Sequence, residues 1–351
     1  MSKKYLGLLI LVIVLLAVVG CNPNQVATSG SNEAATAPTT ASADSSAAAP
    51  DTSNEEYIFV SSMGNLEYFN AVKYGWAWGG DTLGVKVSYV GPAENDVPAE
   101  VAAFDQAIAK KPAGIATFAY DPAIIPSINK AMEAGIPVVT VIGDVPSDRL
   151  AFIGSKQYDL GYVAGKNLAE ALSGKGKVAV LSLPGVQMFD DRETGIRDAF
   201  KAYPDIEVVQ VGDTKADTVT AVNVAKDIMQ RNPDLAAFVG TDSTAGIGAA
   251  TAIEEADKVG QVLAVAMDRN SDVLEKIQKG SLTGAVAQDD AAISFWALQT
   301  LYNFNHNQAP LTVDNAAANA KSGPSLINTS ANYIDKSNLQ YYLDANALYA
   351  E

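Results

Sequence analysis

Residues 266–288, AMDRNSDVLEKIQKGSLTGAVAQ, decide the fold. They begin where an apolar run, Val262–Ala266, ends as a buried strand. Ser271–Lys279 follows with the longer amphipathic pattern of a helix, and Thr283–Ala287 is a second short strand. Strand, helix and strand in this order form a crossover unit, which returns the second strand parallel to the first. Asp268 and Arg269 stand at the carboxyl end of the first strand, and Gln288 and Asp289 at the end of the second.

The same rhythm runs outward in both directions. Tyr57–Ser61, Val85–Val90, Gly114–Phe118, Pro137–Ile142, Lys177–Leu183, Glu207–Val211 and Ala236–Val239 read as further strands buried on both faces. Helices are expected over Leu66–Thr82, Val97–Lys110, Ala123–Ala134, Leu160–Leu172, Arg192–Ala202, Thr218–Arg231, Ala245–Ala256 and Ala291–Phe304. Asp121 can cap the third of these, Pro122 suits its first position, and Gly135 stops it. Two βα series in one chain predict an α/β protein of two doubly wound parallel-sheet lobes. Ligands of such sheets sit beyond the carboxyl ends of the strands.

Polar residues collect at those ends, with aromatics among them. They are Asn65, Tyr68 and Phe69 after the first strand, and Asp144 after the fourth. Phe189, Asp190 and Arg192 follow the Lys177 strand, and Thr241 and Asp242 the Ala236 strand. Asp268 and Gln288 complete the set. Carboxylates and amides satisfy hydroxyls that both donate and accept, while aromatic faces cover the C–H faces of a sugar ring. An Asp after a strand is also the ordinary cap of the next helix, and that is the reading for Asp121. Trp76 and Trp78 read as packing, and His306, among asparagines, as a solvated loop residue.

Other classes fail on residues. A formal charge of −16 repels phosphate backbones and argues against nucleic acid. The single cysteine, Cys21, and the single histidine leave no thiolate site, disulfide or histidine triad, so no metal or cofactor is expected. No phosphate-binding loop is present, GIGAATA lacks the dinucleotide fingerprint, and no nucleophile elbow follows a strand. Carboxylates without a nucleophile and base do not define an enzyme.

The start of the chain has its own pattern. Lys3 and Lys4 precede an apolar run, Leu6–Val19, too short to span a membrane, and Val18-Val19-Gly20-Cys21 resembles a bacterial lipobox. Residues 1–20 are read as a signal peptide and Cys21 as the lipidated residue. Residues 21–54, rich in Ser, Thr, Ala, Asn and Pro, are read as a disordered tether.

The body, Tyr57 to about Leu339, resembles the ribose-binding group of type I periplasmic sugar-binding proteins. AMEAGIPVVT, FIGSKQYDLGYVAGKNLAEAL, GKGKVAVLSLPG, NPDLAAFVGTD and above all 266–288 carry the likeness. The resemblance implies a three-crossover hinge near Ser155–Asp159, Gln288–Ala291 and Ser322–Ser325. It divides the body into an N-terminal lobe (55–157 plus 289–322) and a C-terminal lobe (158–288 plus 323–351). It also places Asn65, Tyr68, Phe69, Asp144, Asp268 and Gln288 in the pocket. Three departures stand out: VIGD replaces the family's Asp-Arg pair, Asp190 stands where an arginine is usual, and Thr241-Asp242 replaces Asn-Asp. More carboxylate suits a different monosaccharide, a polyol or a cation better than ribose. The resulting expectation is a monomeric solute-binding lipoprotein that delivers a sugar or polyol to an ABC permease from outside the membrane. A cation binder and a sugar sensor for a membrane receptor are the alternatives.

Overall fold

The computed structural model describes residues 52–315, 317–318 and 320–350. The expected signal peptide, Cys21 and the tether through residue 51 lie outside the described residues.

The first lobe begins β1 (Glu56–Val60), α1 (Phe69–Leu83), β2 (Lys86–Val90), α2 (Val97–Ala109) and β3 (Gly114–Thr117). A 3-10 turn at Pro122–Ile124 leads to α3 (Ile125–Glu133), β4 (Val138–Val141) and β5 (Ala151–Gly154). The second lobe follows with α4 (Gln157–Ala171), β6 (Lys175–Ser182), α5 (Gln187–Phe200), β7 (Asp205–Asp213) and α6 (Thr218–Arg231). It continues through β8 (Leu235–Gly240), α7 (Ser243–Glu255), β9 (Leu263–Met267), α8 (Ser271–Lys279) and β10 (Gly284–Ala287). The chain then returns as α9 (Asp290–His306) and β11 (Leu326–Asn328), and finishes with β12 (Asn332–Ile334) and α10 (Leu339–Tyr349).

The first sheet has the order β11-β5-β4-β3-β1-β2 and is parallel throughout. The second has the order β12-β10-β9-β8-β6-β7, with only β12 antiparallel, against β10. Alternation along each strand builds one core on each face. Tyr57 and Phe59 pack with α1 and α9, while Ile58 and Val60 pack with α2 and α3. In the second lobe Ala179 and Leu181 face α6 and α7, and Val178 and Val180 face α4 and α5. α4 and α5 approach closely because Gly161 and Gly195 are bare: a Cβ at Gly161 would overlap the Arg192 carbonyl, and one at Gly195 the Tyr158 carbonyl.

Three short passages join the sheets: residues 155–156, 288–289 and 329–331. The first two lie within the spans Ser155–Asp159 and Gln288–Ala291. The third lies beyond the expected Ser322–Ser325, because Leu326–Asn328 first pair with Phe152–Gly154. The first lobe therefore keeps residues through 328. The hinge is cross-tied. Ser155 N–H donates to Gln288 Oε1 at 3.2 Å, the Ser155 and Thr329 hydroxyls share a bond of 3.0 Å, and Lys156 N–H donates to Asn328 Oδ1 at 3.1 Å.

Candidate functional site

On the second lobe the site starts from the turn after β9. Asp268 has φ +70, the left-handed region that a non-glycine residue occupies at a cost of about 1–2 kcal/mol. Its N–H donates to the Val286 carbonyl at 2.8 Å, which pins the turn to β10. Burial pushes the Asp268 carboxyl up from its ordinary value, the Arg192 guanidinium pulls it back, and Asp242 adds repulsion.

Arg192, on the first turns of α5, is 3% exposed. Its Nε donates to Gln157 Oε1 at 2.8 Å and its Nη1 to the Thr241 carbonyl at 2.6 Å. Its guanidinium carbon lies 5.6 Å from the centre of the Phe189 ring. Thr241 turns inward, sharing a 3.0 Å bond with the Ser182 hydroxyl. Asp190 closes its own loop by accepting from Gly185 N–H at 3.1 Å.

Asp242 has two different oxygens. Oδ1 caps α7, accepting from Ala245 N–H at 2.8 Å and from the Thr244 hydroxyl at 2.6 Å. Oδ2 is buried and meets no hydrogen-bond partner among the described residues. A buried acceptor left unpaired costs about 1–3 kcal/mol, so a donor brought to this oxygen would be favoured.

On the first-lobe side Tyr68 donates its hydroxyl to Asp290 Oδ1 at 2.7 Å and receives Gln288 Nε2 at 3.4 Å. Tyr68 feels the charges of Asp290, Asp268 and Arg192, so Tyr68, Asp268, Arg192, Asp242, Gln288 and Asp290 form one polar cluster across the hinge. Burial lifts the Asp290 carboxyl to about 8; Tyr68 opposes that rise and Asp268 reinforces it. Phe69 is 1% exposed and sits between Tyr68 and Phe118, backing Tyr68 from the core. Asn65 is exposed on the loop after β1, with its N–H on the Ala93 carbonyl.

Asp144 is held by Thr140, whose hydroxyl donates at 2.7 Å, and by a two-pronged pair with Arg149. Arg149 stands five residues after Asp144, and the β4–β5 loop folds it back onto that carboxylate.

Asp290, Gln157 and Arg149 were not singled out from sequence. Asp290 follows the quoted Asp289, but Asp289 caps α9 while Asp290, one step on, turns toward Tyr68. His306 is a further correction. It is largely buried at the end of α9, with Nε2 2.9 Å from Glu55 Oε2 and its ring 4.5 Å from that of Tyr302. A shallow depression of about 560 Å³ beside it lies at the amino ends of β1 and β3, away from the strand ends.

The periplasmic binding protein domain family matches residues 57–307, and the chain belongs to that family. Among curated proteins it is similar to the D-allose-binding periplasmic protein of Escherichia coli K12, 26% identical over 247 residues, 67% of this chain and 79% of that one. Among solved structures it is similar to an arabinose-binding protein from Geobacillus stearothermophilus (29% identity, TM-score 0.77, 82% of this chain, 99% of that one). It is also similar to the sugar-binding protein of a sugar ABC transporter from Bacillus halodurans (29% identity, TM-score 0.78, 82% of this chain, 100% of that one). The two-lobed type I architecture expected from the sequence is the one these structures share.

Proposed function

We propose that the chain is the extracytoplasmic solute-binding component of an ABC importer and holds a monosaccharide or polyol between its lobes. Membership of the binding-protein family and the sugar-binding neighbours support this class. One observation carries the site: Asp242 Oδ2, buried and unpaired, beside Asp268 at the strand ends. Two carboxylates that accept and a buried guanidinium that donates match the paired demands of vicinal hydroxyls.

In this reading Asp268 and Asp242 accept from hydroxyls, and Tyr68 and Phe189 offer ring faces. Arg192 and Gln288 donate, and Asp144 with Arg149 closes the rim. Phe69, Thr241 and Asp190 hold these groups in place, and Asn65 serves the loop mouth. Ligand contacts on both lobes favour the closed form, which the permease reads. The protein binds and releases its ligand without chemistry, as a monomer and with no cofactor. The lipobox-like Val18–Cys21 and the polar tract behind it support lipid anchoring at Cys21 and removal of residues 1–20. Among the described residues no helix is long and apolar enough to cross a membrane.

Thermal unfolding against D-allose, D-ribose, arabinose, tagatose, inositols and polyamines tests the reading. A ligand at 100 times its dissociation constant adds about 2.7 kcal/mol. A shift with one sugar or polyol is expected; no shift with any sugar or polyol would sink the assignment. The surplus of carboxylate favours one rival, a cationic ligand. A shift confined to polyamines and abolished by salt would select it.

A further inference from the structure

The residue after Asp268 is tied to the last helix. Arg269 Nε and Nη2 donate to Asn346 Oδ1 at 3.1 and 2.9 Å, and Nη2 also reaches the Tyr342 carbonyl at 3.3 Å. Asn346 answers from Nδ2 to the Arg269 carbonyl at 2.8 Å. The guanidinium carbon lies 5.0 Å from the Tyr342 ring centre and 5.2 Å from that of Tyr349. A planar fork bonded on its side chain, and again on its own carbonyl, fixes the turn in direction as well as position.

α10 does not end on the second lobe. Leu339 and Leu343 pack into that lobe's core, but the Tyr349 ring lies 5.0 Å from the ring of Tyr74 on α1 of the first lobe. Nearby, Glu67 of the first lobe accepts from the N–H of Ser271 at 3.0 Å and from its hydroxyl. Beside these contacts lies an open-sided cavity of about 440 Å³, lined in part by Glu67, Tyr68, Arg269, Asn270, Asp290 and Asn346. Of the strand-end candidates it shares only Tyr68.

We propose that Arg269 is a positioning residue for Asp268, and that α10 couples that position to the opposite lobe through Tyr349 on Tyr74. The proposal rests on Asp268 being a ligand group. The Arg269–Asn346 clamp lies within the second lobe and survives any hinge motion. The Tyr74–Tyr349 and Glu67–Ser271 contacts have one partner on each lobe, so opening must break both. α10 therefore holds the Asp268 turn in its left-handed conformation in either state and draws the lobes toward closure.

The test uses the full chain and two readouts. The first is hydrogen exchange at the Ser271 amide with no ligand added. The second is affinity for the best binder among D-allose, D-ribose, arabinose and tagatose, with the unfolding temperature as a control. Tyr349→Ala is expected to speed Ser271 exchange and weaken sugar binding, each by about three- to tenfold, with the unfolding temperature kept. Tyr349→Phe, which keeps the ring, should restore both. Arg269→Lys keeps the charge but loses the fork, and should weaken binding about tenfold. Wild-type exchange in Tyr349→Ala would overturn the coupling, as would a Tyr349→Phe protein no better than Tyr349→Ala. Unchanged sugar affinity in Arg269→Lys would overturn the positioning role. Exchange is read without sugar, so the coupling stands or falls separately from the ligand class.

Discussion

Both lobes carry acids where strands end, and they use them differently. In the first lobe Asp144 is met by Thr140 and Arg149, and Asp121 caps the turn after β3 through Ala123 N–H at 2.8 Å. Each is satisfied within its own loop. In the second lobe Asp242 spends one oxygen on a cap and leaves the other buried and unpaired. Asp268 lies beside the buried Arg192 and takes hydrogen bonds from the Ser243 N–H and hydroxyl, in a left-handed turn. The difference bears on the proposed site: an acid at a strand end is free to serve a ligand only where the protein leaves part of it unmet, as at Asp242.

Glu100 strains this contrast most. It belongs to the first lobe, is 1% exposed, and accepts a long hydrogen bond from the Thr117 hydroxyl at 3.5 Å. Burial lifts it to about 8, against Thr117 and with help from Asp121. The unfolded chain loses this proton near pH 4.3 and the folded chain near 8. Between those values the unfolded state binds fewer protons, so stability falls as pH rises, by up to about 1.4 kcal/mol per unit. Glu100→Gln should remove that slope. Denaturant unfolding of both proteins from pH 5 to 8 checks it, and parallel curves would mean that Glu100 titrates normally. Asp290 adds a similar slope to both proteins and cancels in the difference. If the slope is found, the first lobe meets its buried acid with a proton, where the proposed function has the second lobe meet Asp242 with a ligand hydroxyl.

How much of this could be read in advance follows from what is local. Strands buried on both faces appear as unbroken apolar runs, such as LAVAM at 263–267, and helices with one apolar stripe appear by period. The bounds of α6 and α8 are those expected. β5, β11 and β12 escaped because they have three or four residues and owe their existence to distant partners, such as Leu326 on Phe152. α10 escaped because its apolar residues spread around the helix. For the candidate site the sequence offered a location, since topology dictates where strands end. Its partners were not, because Arg149 on Asp144, Gln157 on Arg192 and Tyr68 on Asp290 depend on how loops return in space.

Asp268 is where the contrast can be broken outright. A charge-assisted hydrogen bond contributes about 1.5–3 kcal/mol, so Asp268→Ala should weaken sugar affinity ten- to a hundredfold. Titration calorimetry on variant and wild type measures it. An unchanged dissociation constant would show that the strained turn serves the fold alone. The second lobe's acids would then be no different in use from the first lobe's.

The smallest effect is expected at Asp144, and it sharpens the contrast from the other side. An amide at this position still accepts from Thr140 and from one prong of Arg149, while the charge is lost. Both partners of the pair are partly exposed, where water screens much of what the ion pair contributes. Asp144→Asn should therefore change sugar affinity by less than about threefold, with the unfolding temperature nearly kept. A tenfold loss in the same titration would mean that the ligand takes bonds from Asp144 directly. A satisfied acid would then be as much a ligand group as an unmet one, and counting partners would no longer separate the two lobes.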